Sequence, residues 1–71
     1  MKNTPTSYEV TVKFEGNEYS AHYSVTSTVV TVNSIYGSKS AQIGGSSASL
    51  MAGILFREIL QSAKDLGELS A

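Results

Sequence analysis

From Tyr8 onward the chain alternates apolar and polar residues one for one. Tyr8, Val10, Val12 and Phe14 are separated by Glu9, Thr11 and Lys13, the period of a strand with one dry and one wet face. Gly16-Asn17, inside "EGNE", is a two-residue hairpin signal and predicts the first turn. Residues 18 to 25 alternate again, with Tyr19, Ala21, Tyr23 and Val25 on one side and Glu18, Ser20, His22 and Ser24 on the other. A polar turn over residues 26 to 28 leads to "VVTVNSIY", whose β-branched residues suit a third strand. Gly37-Ser38 predicts a second tight hairpin, with a short fourth strand returning through "KSAQI". After Gly44-Gly45, Ser46 or Ser47 can cap a helix that runs to about Leu66, with Gly67 as its stop.

This order predicts an α+β fold: a four-stranded antiparallel meander sheet with one C-terminal helix packed on one face, ββββα. The domain spans residues 8 to 67, between a flexible N-terminal arm, residues 1 to 7 with the only proline, Pro5, and a tail of residues 68 to 71. A Gly16-Asn17 turn pairs Phe14 with Tyr19, Val12 with Ala21, Val10 with Tyr23 and Tyr8 with Val25. A Gly37-Ser38 turn pairs Tyr36 with Lys39, Ser34 with Ala41 and Val32 with Ile43. Val25 opposite Val30 keeps the same parity, so all three hairpins agree on one dry face, an agreement that a one-residue slip destroys. On that face Val10–Tyr23–Val32–Ile43 is a bulky row and Val12–Ala21–Ser34–Ala41 a small one, over which Leu55, Phe56 and Ile59 can pack closely. The wet face carries the polar row Thr11–His22–Asn33–Gln42.

Set out at about 100° per residue, Ala48, Ala52, Leu55, Phe56, Ile59, Leu60, Ala63 and Leu66 share one broad arc of the helix, the arc assigned to the sheet. Arg57, Glu58, Gln61, Lys64 and Asp65 occupy the opposite arc. Leu50 and Ile54 fall inside that polar arc and Met51 lies at its edge. Each such side chain left in water forgoes about 1.5–3 kcal/mol of burial. Either the helix start tucks under a loop or the arm, or these are single exposed apolar residues of the ordinary kind, or Leu50, Met51 and Ile54 form an interface to a second copy or to another protein. The first strand, "YEVTVKF", is a second possible interface, being long and at an edge with only Glu9 and Lys13 to guard it.

With 71 residues, the chain is near the lower size limit for independent stability, since such a domain buries only roughly 60% of the surface its unfolded chain exposes. Disulfides, a structural metal or oligomerisation are the usual remedies. Cysteine is absent and His22 is the only histidine, which excludes a disulfide framework and speaks against zinc. No cofactor is expected, and oligomerisation, most simply a homodimer, is the remedy that remains.

The charge balance is five Lys and Arg against six Asp and Glu, with Lys2, Lys13, Lys39, Arg57 and Lys64 scattered. Clustered cations are the electrostatic footprint of a nucleic-acid binder, so this balance argues against one. Thr11, His22, Asn33 and Gln42 remain a candidate polar recognition face, and a nucleic-acid-binding module using that face is the alternative reading. Such a face needs Arg or Lys for guanine and phosphate, or exposed aromatics for stacking, whereas parity turns Tyr8, Phe14, Tyr19, Tyr23 and Tyr36 to the dry side. His22 is the only candidate general base. A Ser–His–Glu set can be drawn from Ser20 or Ser24 with His22 and Glu9, but an open sheet face supplies no pocket and no oxyanion donors, so no catalytic residue is assigned. "YGSKS" lacks the earlier glycine of a phosphate-binding loop and reads as a hairpin. "GGSS" ahead of a helix could favour an anion but reads as a flexible connection with a Ser cap. "MKNTPTSYEV" has no apolar core for a signal peptide, and the longest apolar run, "LMAGILF", falls far short of the ~20 residues of a membrane span. The expectation is a cytoplasmic protein that does not enter membranes.

The opening Tyr8-x-Val10-x-Val12-x-Phe14-x-Gly16, the segment Val30-x-Val32-x-Ser34-x-Tyr36-Gly37-Ser38-Lys39 and a final helix with the pair Arg57-Glu58 together resemble a group of short bacterial proteins, a domain of unknown function. The resemblance covers residues 8 to 62. It implies an antiparallel sheet followed by one helix, and no activity. The sequence as a whole points to a small non-enzymatic protein-interaction domain that self-associates.

Overall fold

The computed structural model describes residues 7–44 and 47–69. Four strands, β1 (Ser7–Phe14), β2 (Asn17–Thr26), β3 (Val29–Ser34) and β4 (Gly37–Gln42), form one antiparallel meander in the order β1-β2-β3-β4, and one helix, α1 (Ala48–Asp65), packs on its dry face. The α+β architecture is the one that the alternation predicts. Of the expected arm, Ser7 is the first residue of β1 and residues 1 to 6 lie outside the described residues.

Two turns are placed differently, and with them the register. The first turn is Glu15-Gly16 rather than Gly16-Asn17: Glu15 has φ 52 and Gly16 φ 85, and a type I′ turn requires positive φ at both central residues. Gly16 therefore takes the second central position, and Asn17 starts β2. Phe14 faces Asn17, Val12 faces Tyr19, Val10 faces Ala21 and Tyr8 faces Tyr23. The last turn is Ile35-Tyr36 rather than Gly37-Ser38. Ser34 holds it, its Oγ donating to the Gly37 carbonyl at 2.9 Å and accepting from the Tyr36 N–H at 3.1 Å. Gly37 follows with φ 140, a conformation that side chains rarely adopt. Ser34 thus faces Gly37, Val32 faces Lys39 and Val30 faces Ala41, while Ile43 lies beyond the strand and donates its N–H to the Thr28 carbonyl at 2.8 Å. The middle connection is as expected, with Val25 opposite Val30 and Ser27 in the turn at φ 56.

Both displaced pairings differ from the expected ones by an even number of residues, so each side chain keeps its face. Val10, Val12, Ala21, Tyr23, Val30 and Val32 are buried on the sheet side of the core, and Ala52, Leu55, Phe56, Ile59, Leu60 and Ala63 on the helix side. Phe56, Leu60, Val30 and Val32 are its fully enclosed large side chains. The aromatics share this face: Tyr8 lies against Tyr23 with ring centroids 5.3 Å apart, and Tyr19 meets Phe14 edge-on at 6.4 Å and Tyr36 at 5.9 Å. Leu66, placed by periodicity on the sheet-facing arc, is exposed at the C-cap.

The helix ends follow from local chemistry. Ser47 is the N-cap, its Oγ accepting from the Leu50 N–H at 3.2 Å; Gly45 and Ser46 lie outside the described residues, so the anion site read from "GGSS" does too. At the other end the Glu68 N–H donates to the Ala63 carbonyl at 2.8 Å and the Gly67 N–H to the Lys64 carbonyl at 3.0 Å, a Schellman motif. That turn directs Leu69, in the expected tail, back against the core, where it is half-buried. Two ion pairs tie α1 to the sheet, Lys39 Nζ to Glu58 Oε1 at 2.8 Å and Lys64 to Glu15, both between half-exposed side chains.

Candidate interaction surface

The helix lies on the sheet through residues spaced three and four apart, Ala52, Leu55, Phe56, Ile59, Leu60 and Ala63. Leu50 and Ile54 are one turn apart on its flank and stay outside this contact, 58% and 45% exposed. They stand over the open edge of the sheet. With Val12 of β1, and with Ser49, Gly53 and Arg57, they line a shallow groove of about 280 Å³ between the helix and the edge strand. Gly53 faces Val12 across it, and a Cβ built on it would reach Val12 Cγ1 at an ordinary contact distance of 3.9 Å. Met51 differs from its two companions: it is half-buried and packs against the core, so the outward apolar pair is Leu50 and Ile54. Helical spacing alone identifies that pair; Val12 and Gly53 become part of the same surface only through the packing angle between α1 and β1. A smaller recess of about 130 Å³, lined by Tyr36, Gly37, Lys39, Ile59 and their neighbours, lies where β4 meets the helix.

The polar face holds all four residues that sequence placed there, but not as one row. His22 and Asn33 are directly opposed, flanked by Glu9 on β1 and Ser38 on β4. Thr11 stands opposite Ser20, with their hydroxyl oxygens 3.1 Å apart, and Gln42 stands opposite Val29. A second hydroxyl pair, Thr31 and Ser40, is 2.9 Å apart. The register therefore brings Glu9 beside His22 and sends Thr11 and Gln42 to different rows. Lys13 and His22 are the side chains on the described part of this face that can carry positive charge. Among the described residues, no three His, Asp or Glu side chains are grouped as a metal site requires, and no helix is long and apolar enough to cross a membrane. Comparison with protein-family models, with curated proteins and with solved structures finds no match for the chain.

Proposed function

We propose that this chain is a small non-enzymatic protein-interaction domain that self-associates. The observation that carries the reading is the exposed pair Leu50 and Ile54, set on the groove beside β1, which is an edge strand among the described residues. Each is already about half covered, so burying the rest in a contact is worth roughly 0.7–1.5 kcal/mol, about half the value for full burial, still a sizeable share of the total stability of a domain with so small a core. The nucleic-acid alternative has less support, because a face whose one Lys or Arg among the described residues is Lys13 offers little to neutralise phosphates.

The test is the solution mass by light scattering behind size-exclusion chromatography, over a range of concentrations, for the native chain and for Leu50→Glu with Ile54→Lys. A native mass near twice 7.5 kDa supports the reading, and the double variant is expected to run as a monomer. Loss of the helix would not explain that result. Leu50 is the third helical position after the Ser47 cap, where a glutamate completes a capping box, and the introduced glutamate and lysine stand four residues apart in the favourable order for an ion pair. A native chain that stays at 7.5 kDa at every concentration refutes self-association.

A further inference from the structure

Resting on that reading, we infer that the second copy docks edge to edge on β1, antiparallel about a two-fold axis at Thr11, so that the two sheets become one and Glu9 of each copy faces Lys13 of the other. The argument begins with the turn. In a two-residue hairpin the residues flanking the turn form a hydrogen-bonded pair, so Phe14 bonds to Asn17, and Val12, Val10 and Tyr8 likewise direct their backbone N–H and C=O to β2. Lys13, Thr11, Glu9 and Ser7 direct theirs outward, a row of groups with no partner strand among the described residues and of the kind that templates another strand.

Placed against its own copy about Thr11, this row is self-complementary. Thr11 meets Thr11 as a hydrogen-bonded pair, and Glu9 meets Lys13 twice, once on each side of the axis. Both charged residues lie on the exposed face, and among the described residues neither is held in an ion pair within its own chain. Shifting the axis breaks the match: about Glu9 or Lys13 it sets like charges opposite each other, and about Val10 or Val12 it sets a charge opposite Thr11. On the dry face the same register sets Val10 against Val12 and Tyr8 against Phe14, which continues the apolar surface across the seam. Leu50 and Ile54 line the groove beside Val12 on the helix side of that seam, and so face the second copy across it. The other edge lacks these features, since the outward row of β4 is Ser38, Ser40 and Gln42, without charge.

The test is a charge exchange in the full chain. In Glu9→Lys both cross-seam pairs become Lys with Lys, and in Lys13→Glu both become Glu with Glu. Each single variant is expected to dimerise at least about ten-fold more weakly than the native chain. The double variant Glu9→Lys with Lys13→Glu is expected to recover the native affinity, and an equimolar mixture of the two single variants to form a heterodimer in preference to either homodimer, read by native mass spectrometry. If the native chain is a dimer that Leu50→Glu with Ile54→Lys dissociates but the charge variants leave intact, self-association stands and the β1 pairing is refuted. If the native chain is a monomer throughout, both are refuted.

Discussion

At the scale of single residues, the most informative position is Glu15. It is a non-glycine residue held at φ 52 in the first turn, a conformation that costs most L-residues roughly 1 kcal/mol, less for Asn, whose short side chain tolerates it. Glu15 also pairs with Lys64, but both side chains are about half exposed, and such pairs contribute about 0–1 kcal/mol. The conformational cost is the larger effect. Glu15→Asn, which creates the preferred Asn-Gly sequence for a type I′ turn, is therefore expected to raise stability by about 0.5 kcal/mol, measured as a higher midpoint in urea with unchanged slope. Gly16→Ala is expected to lower it by about 1 kcal/mol or more, because φ 85 suits no side chain. The same two residues explain what sequence reading missed. "EGNE" contains both Gly-Asn and Glu-Gly, and Gly-Asn looks the better turn by composition, but the backbone needs its glycine in the second left-handed position.

At the scale of elements, alternation settles which face each strand residue takes, and it is blind to shifts of two or four. Tyr8 can face Val25 or Tyr23, and Val32 can face Ile43 or Lys39, without any apolar side chain leaving the dry side. Parity is therefore legible in all three hairpins, but partners only in the middle one, where Val25 faces Val30 as expected, since the turns decide the partners through backbone angles that composition states only loosely. The helix was more legible than the sheet. Its 3.6-residue period separates the buried arc from the outward pair Leu50 and Ile54 without reference to any partner element, puts Met51 at the border of the arc, where it is half-buried, and misplaces Leu66, at the cap. One helix position contradicts its own propensity. Gly53 sits mid-helix with ordinary helical backbone, and an added Cβ meets only Val12 Cγ1 at 3.9 Å, an ordinary contact. Gly53→Ala is thus expected to stabilise the fold by about 0.5–1 kcal/mol, seen as a rise in thermal midpoint. Phe56, fully enclosed at the centre of the same helix, is the opposite case. Phe56→Ala is expected to cost about 3–5 kcal/mol, enough to abolish the cooperative unfolding transition in a domain of this size.

At the scale of the whole molecule, the core is one layer of side chains between one sheet and one helix, and among the described residues neither edge strand, β1 or β4, has a second neighbour. A fold built this way gains from anything that binds its native state and not its unfolded chain. If the second copy docks on β1 beneath Leu50 and Ile54, folding and association are linked, and the thermal midpoint depends on protein concentration. Over a concentration range of about 100-fold in which the chain remains dimeric, mass action changes stability by about 2.7 kcal/mol per dimer, or about 1.4 kcal/mol per chain. For a domain of this length that corresponds to a rise of roughly 5–10 °C, measured by circular dichroism at the two ends of the range. The same pair of scans on Leu50→Glu with Ile54→Lys is expected to give one midpoint, independent of concentration, although its helix carries the added capping box. A native midpoint that does not move with concentration would show that the exposed pair contributes nothing to stability through a second copy.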